Sequence, residues 1–492
     1  MKTNIFKNLL QENYMSKVRN ALKFSMVGTY LGKIINLLSV IVIARIMTPD
    51  ELGLYAIAAA LVMIVDVLKS FGVSSYLIRQ KVLASDEIRS ALGLNIVITS
   101  VLGIGIIAVA QPLETYYGYN DIAILLLLLS VSFFVSPFFS NGMALLARQF
   151  KFKERLQIGI TAQIFEFSIT VLFIMLDFSY FSMAIAVALK SLLQVLLVKI
   201  YQPTDMQWYP RFIGMKHIAK FGFFITLANL FERLSIVSND LIIGKFGTPG
   251  MVAYFSRGLG FIDFLTATVS EGISPVTLPY LAEQKRLGHD LEPAYYQATN
   301  LLGAVLLPVL LVAGVASYPV IMLFFGDQWV QSAELVSILC LWGVFKNIHA
   351  LSPSLLVITG HERHLFIRNM IMFSLTAFSV YFAFQYGLLT IAMAVTGVAF
   401  VNFIYTTLLL KFVLNFSLLN FSKSQLTNVL LCTTCFGASY LTSLLINFEE
   451  VSIFISLAIL IPFVSLTWLL TLYFTKHLLL NEIKKIVGLA NE

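Results

Sequence analysis

The residues able to do chemistry in this chain are charges set inside long apolar stretches. Lys33, Asp66, Lys69, Glu166, Lys190, Glu232, Arg233, Asp240, Arg257, Asp263, Glu271, Lys346 and His349 interrupt segments otherwise made largely of aliphatic and aromatic residues. Their depth can be counted from basic residues that end those segments: Lys33 is ten past Lys23, Lys69 ten before Arg79, Glu166 eleven past Arg155 and Lys190 nine before Lys199. At about 1.5 Å per helical residue, each lies roughly 15 Å deep, half-way through a hydrocarbon layer about 30 Å thick. Asp66, Glu232, Arg233, Glu271, Lys346 and His349 fall in the same broad zone, whereas Asp240, Arg257 and Asp263 sit nearer the outer face. A charge left facing lipid at mid-depth costs about 2.5–3.5 kcal/mol, so ten such groups would cost on the order of 30 kcal/mol. They must pair with one another or face a water-filled cavity.

Both solutions are readable. Asp66 and Lys69 are three apart and share one helix face. Glu166 and Lys190 lie at matching depth on consecutive antiparallel helices and read as a fastening between them. Lys33, Asp66, Lys69, Arg233, Arg257 and Lys346 read as cavity lining, because most of them lie on the hairpins that open the two halves of the chain. Lys and Arg are the partners a phosphate requires, and acids beside them would temper binding so that an anionic cargo can leave. His349 reads more readily as a packed histidine than as a lining group.

The elements that carry these residues come in two similar sets. IARIMTPDELGLYA (43–56) returns as IIGKFGTPGMVAY (243–254 for its core), each copy ending one apolar segment, turning at Thr-Pro and opening the next. Lys23-Phe24 and Lys220-Phe221 precede the copies, YLIRQK (76–81) and YLAEQK (280–285) follow them, and Ser136-Pro137 recurs as Ser352-Pro353. Four ordered matches at slowly drifting spacing argue for a duplicated half. Helices are expected near 22–46, 52–78, 90–110, 122–146, 156–176 and 179–199. A second set is expected near 218–246, 251–282, 294–325, 331–358, 364–386 and 388–412, with two further spans near 425–446 and 452–475. The expectation is thus an all-α polytopic membrane protein of about 14 transmembrane helices: an N-lobe over 1–213, a C-lobe over 214–414, and two extra helices with a tail over 415–492.

Composition agrees with that class. Of 492 residues, 58% are hydrophobic and only 12% charged, against about 25% charged in an average soluble domain. The net charge of +7 is a topology signal and not a nucleic-acid footprint, because the basic residues crowd into alternate short loops. One set of loops holds Arg79, Lys81, Arg89, Arg148, Lys151, Lys153, Arg155, Lys199, Arg211, Lys216, Lys285, Arg286, Arg363, Arg368, Lys411, Lys423, Lys476, Lys484 and Lys485. The other holds Arg45 and Lys245 with acids such as Glu114, Asp121, Asp327, Glu449 and Glu450. Both termini are therefore expected in the cytoplasm, and lobes with an even number of spans should be related by a pseudo-two-fold along the membrane normal. Cys340, Cys432 and Cys435 are too few for a disulfide framework, and the CxxC formed by the last two lies inside an apolar span. Phosphate-cradling glycine loops, HExxH and GxSxG are missing, and no polar segment is long enough for a catalytic domain, so no enzyme is expected.

Several stretches carry a family resemblance. RIMTPDELGLYA after the first span, FGVSSYLIRQK (71–81), ALLARQFKFKER (144–155), NDLIIGKFGTPGMVAYFSRGLG (239–260) and FFGDQW (324–329) together resemble the polysaccharide-exporter, or Wzx-type, flippases of the multidrug/oligosaccharidyl-lipid/polysaccharide superfamily. The likeness runs over roughly residues 15–475. It implies two lobes in a V around a cationic central cavity, lined mainly by the first two helices of each lobe. The implied partner is an oligosaccharide linked to undecaprenyl pyrophosphate, moved from the cytoplasmic to the outer leaflet of a bacterial cytoplasmic membrane by alternating access, alongside membrane lipids and other polysaccharide-assembly proteins. No cofactor or metal is implied, and whether an H+ or Na+ gradient drives the cycle is left open. A cation-coupled drug exporter of the same superfamily would favour acids over bases in its cavity, and a membrane-bound glycan polymerase or ligase would show large outer loops. Neither pattern is present.

Overall fold

The computed structural model describes residues 2–69, 73–80, 83–213, 223–448 and 450–486. Lys81, Lys216, the Lys220-Phe221 match, Glu449 and residue 214 of the expected lobe boundary lie outside the described residues, as do the side chains of Lys23, Arg79 and Glu271. The described residues form helices and turns with no strand. Two compact units result, one running to Val237 together with Thr248–Gly250, the other containing Ser238–Gly247 and everything from Met251 on.

Unit 1 holds α1 (Lys2–Ile46), α2 (Pro49–Lys69), α3 (Val73–Arg79), α4 (Ser85–Tyr117), α5 (Ile122–Arg148), α6 (Phe152–Met175) and α7 (Phe181–Tyr201). Helix α8 (Phe223–Phe246) begins in unit 1 and ends in unit 2. Unit 2 continues through α9 (Pro249–Arg286), α10 (Leu291–Val315), α11 (Ser317–Phe325), α12 (Val330–Asn347), α13 (Ser352–Thr359), α14 (Glu362–Ala383), α15 (Leu388–Leu414), α16 (Leu418–Leu445), α17 (Ile453–Phe474) and α18 (Leu478–Ile486). Among the described residues, 12 helical segments are long and apolar enough to cross a membrane. Helices α8 and α9 are as long but more highly charged, and with them the order follows the six, six and two expected.

Two expected continuous spans are broken, and proline is the reason in both. Pro319 has no N–H for the carbonyl of Val315 and its ring would collide with it, so α10 stops at Val315 and α11 restarts at Ser317. Pro353 acts likewise at the start of α13, leaving residues 348–351 as turns after α12. Pro137 and Pro308 stay inside their helices.

The Thr-Pro turns are capped differently. In the first copy Glu51 Oε2 accepts from Thr48 N–H at 2.8 Å and from Thr48 Oγ1 at 2.9 Å, a capping box with Pro49 at the first helical position. The second copy has Met251 where Glu51 stands, and its Gly250 N–H donates instead to Asp50 Oδ1 at 2.9 Å. Both ends of that bond belong to unit 1. A Cβ at Gly53 would overlap the Pro249 carbonyl, so only glycine permits this approach. Nearby, Tyr180 donates to Asp121 at 2.8 Å; burial, then this bond and the acids Asp121 and Glu51, push its phenol up to about 12.

Small and polar residues fasten the helices, as expected where lipid supplies no hydrophobic drive. Gly28 and Gly32 of α1 sit against Leu156 and Gln163 of α6, a Gly-x-x-x-Gly contact. Asn95 of α4 donates to Asn141 of α5 at 2.7 Å. After α7 the chain returns over the end of α4, where Arg211 N–H donates to Arg89 O at 2.9 Å and its side chain pairs with Asp86. In unit 2 Asn428 donates to Asn300 O at 3.1 Å, and its Oδ1 lies 3.1 Å from His477 Nε2. His477 Nδ1 accepts from Leu479 N–H at 3.1 Å, which places the imidazole proton on Nε2 and ties α18 to the bundle.

His477 is buried, and burial holds its imidazole below the ordinary range. A depressed histidine favours the neutral form, so its contribution to α18 docking is complete above about pH 6.5 and is lost as pH falls below it. Hydrogen-exchange protection over Leu478–Ile486, corrected for the intrinsic rate at each pH, should therefore be lower at pH 5 than at pH 7.5, and His477→Gln should remove most of that difference. Equal protection at both pH values in the unaltered protein would contradict this role.

Candidate functional site

In each unit a lysine is clamped between a carboxylate and an aromatic ring. In unit 1 Lys69, in the last turn of α2, lies 2.5 Å from Asp66 Oδ1 and 3.6 Å from the centroid of Phe133 on α5, with Ser132 Oγ at 3.4 Å. In unit 2 Lys346, in the last turn of α12, lies 3.3 Å from Asp263 Oδ1 on α9 and 4.3 Å from the centroid of Trp342. The carbonyl end of α12 carries partial negative charge, which favours a cation in its last turn. A ring face adds attraction that does not consume the ammonium's hydrogen bonds. The result is a cation held in place at membrane depth that still has donors to offer.

The other residues singled out from the sequence fall as follows. Lys33 is half-buried on α1, one residue past the Gly32 contact with α6. Arg233 is half-buried on the part of α8 that groups with unit 1. Arg257 on α9 has its guanidinium 5.4 Å from the Phe325 ring and 5.0 Å from that of Trp329, which is fully buried. Its neighbour Ser256 donates to Asp240 at 2.5 Å. The structure thus brings Asp66 and Lys69 together as their spacing requires, and joins Lys346 to Asp263.

Glu166 and Lys190 meet at 2.7 Å between α6 and α7, the pairing their matched depth implies. His349 is buried, with Nδ1 2.9 Å from Tyr295 OH and Nε2 2.9 Å from Thr407 Oγ1. Thr407 spends its own proton on Phe403 O at 2.8 Å, so it accepts from Nε2–H and Tyr295 donates to Nδ1. Stacked between Phe403 and Phe421, it is a neutral packed histidine.

Sequence reasoning missed the ring under each lysine and the Asp263 partner of Lys346. Trp342 was findable, because it stands four residues before Lys346 on one helix. Phe133 lies 64 positions from Lys69 and carried no local signal. Unit 2 also carries two open apolar grooves of about 490 Å³ each. One is lined by residues including Leu307, Phe403 and Phe436, the other by residues including Phe264, Pro308, Leu460 and Trp468. Such walls suit hydrocarbon and not sugar.

Residues 42–334 match the family described as polysaccharide biosynthesis protein. The chain belongs to that family. This polysaccharide biosynthesis protein is 22% identical to the teichuronic acid biosynthesis protein TuaB of Bacillus subtilis (strain 168), over 90% of this chain and 93% of that one. It is 21% identical to the lipopolysaccharide biosynthesis protein WzxC of Escherichia coli (strain K12), over 68% of each chain. Its fold is similar to that of the lipid II flippase MurJ, TM-score 0.74 at 18% identity over 92% of this chain and 99% of that one. A multidrug resistance MATE family transporter of the MOP superfamily superposes with TM-score 0.65 at 15% identity, over 79% of this chain and 97% of that one. Its apolar helices and its family together make it a multi-pass membrane protein of polysaccharide biosynthesis.

The Glu166–Lys190 pair gives a direct test of its fastening role. Lys190→Ala should lower thermal stability in detergent, by about 1–2 kcal/mol, because it strands a carboxylate. The double variant Glu166→Gln/Lys190→Met should recover at least half of that loss. Additive destabilisation in the double variant would show that the two do not act as a pair.

Proposed function

We propose that the protein is a flippase that carries oligosaccharide linked to undecaprenyl pyrophosphate from the cytoplasmic to the outer leaflet of a bacterial cytoplasmic membrane, by alternating access. The observation that carries this reading is a clamped lysine in each unit, Lys69 over Phe133 and Lys346 over Trp342, in a chain of the polysaccharide biosynthesis family. A pyrophosphate–sugar head group needs cations along a wet path through about 30 Å of hydrocarbon, and lysines held at that depth answer the need. Lys33, Arg233 and Arg257 extend the basic set, and Asp66 keeps the head group from binding irreversibly. The polyprenyl tail is hydrocarbon, and the groove between α9, α10, α11 and α17 has the apolar walls to hold part of it.

The basic loops support a topology in which both termini are cytoplasmic. A reporter active only in the cytoplasm, fused after Glu492, should be active, and silence there with activity from an externally functioning reporter would reverse the orientation.

Export supplies the functional test. In a strain whose surface glycan depends on this gene, Lys69→Ala, Lys346→Ala and Arg233→Ala should each cut surface glycan at least tenfold while leaving protein levels in the membrane near normal. Lys69→Arg should retain part of the activity, since it keeps the charge. Normal export by the alanine variants would remove these residues from the substrate path.

A further inference from the structure

We propose that in each unit the carboxylate keeps the lysine in reserve, so that the anionic head group binds by displacing Asp66 from Lys69 and Asp263 from Lys346, while Phe133 and Trp342 hold the two ammonium groups in position during the exchange. This rests on the flippase reading and adds to it how the head group is taken up and let go.

The order of exposure is the same in both pairs. The Lys69 side chain is 16% exposed and Asp66 57%, and the corresponding values are 31% for Lys346 and 44% for Asp263. In each case the acid stands on the open side and the base lies deeper, over a ring. An arriving phosphate therefore meets the carboxylate first. Being the more open partner, that carboxylate is the one free to swing aside into the wet path the head group needs, whereas a departing lysine would have to leave its ring. One anion replaces another on a cation that does not move.

The arrangement is not a leftover of the duplication. At the 200-residue offset that relates Thr48-Pro49 to Thr248-Pro249, Asp66 and Lys69 correspond to Thr266 and Val269. The first pair takes both charges from the second span of its half and the ring from the fourth. The second pair takes its acid from the second span and both its lysine and its ring from the fourth. Different positions have produced the same three parts at the same pair of spans. Shared ancestry of individual residues does not explain that recurrence, whereas a common requirement for a reversible anion site does.

The chemistry of release follows. A lysine alone, at low dielectric, would grip a diphosphate strongly and free it slowly. A carboxylate returning to the ammonium offsets the loss of the phosphate contact, so the bound and empty states lie closer in free energy. Removing the carboxylate's charge while keeping its shape should thus tighten binding and slow turnover together, which damage to the fold would not do.

The experiment measures binding of radiolabelled undecaprenyl pyrophosphate to the purified full-length protein in detergent micelles, with glycan export by the same variants in cells. Asp66→Asn and Asp263→Asn should each bind about two- to fivefold tighter, the fold-change equivalent of a partly exposed ion pair, and export more slowly. Phe133→Leu should weaken binding several-fold with Phe133→Tyr restoring it, and Trp342→Leu should behave in the same way with Trp342→Phe as its rescue. Melting temperatures monitor the fold of each variant. If the unaltered protein binds the probe but the asparagine variants bind it equally or more weakly, displacement is wrong and the flippase reading stands. Equal losses in the leucine and aromatic ring variants overturn the positioning role of the rings. If the unaltered protein does not bind the probe, the flippase reading fails and this inference fails with it.

Discussion

The cost of an ionic group in hydrocarbon is the constraint on which this molecule depends. Each charge at membrane depth has to be offset by something specific, and the offsets differ in kind. Glu166 and Lys190 neutralise one another between two helices. Asp66 with Lys69, and Asp263 with Lys346, are also paired, but each lysine has a ring beneath it and a more open acid beside it. Arg257 packs against two rings, one of them fully buried. The first solution locks a structure, whereas the lysine clamps leave a cation able to change partners.

The backbone obeys a related rule. Carbonyl and amide groups in a bilayer must be satisfied internally, so a span can be interrupted only where the freed groups find other partners. The break at residues 348–351 falls directly after Lys346, putting that lysine at the carbonyl end of α12. The proline that forces the break thereby helps to create an electrostatic position for the cation. Interrupted spans and functional charges coincide here for a physical reason.

Fastening between helices relies on small and polar side chains. Gly28 and Gly32 let α1 approach α6, Asn95 and Asn141 join α4 to α5, and Asn300, Asn428 and His477 tie the helices of the C-terminal part together. These contacts give the clamped lysines a rigid surround. Preorganisation of this sort is what lets a ring hold an ammonium group in one place while its anion changes.

Much of this was determined by the sequence alone. Apolar runs of membrane length, the alternation of basic loops and the duplicated Thr-Pro turns define which segments leave water, and they do so locally, because hydropathy is a property of a segment and not of its neighbours. The Asp66–Lys69 pair was legible for the same reason, since helical spacing alone brings its members together. Even the Glu166–Lys190 contact could be read, because antiparallel neighbours joined by a short turn share a depth scale. Tertiary structure decided the rest. Phe133 reaches Lys69, Asp263 reaches Lys346, and Asp50 takes the amide of Gly250 that the second turn's own residues leave uncapped. These partners stand 64, 83 and 200 positions apart. Which face of one helix meets which face of another depends on packing shape, and no periodicity within either helix specifies it.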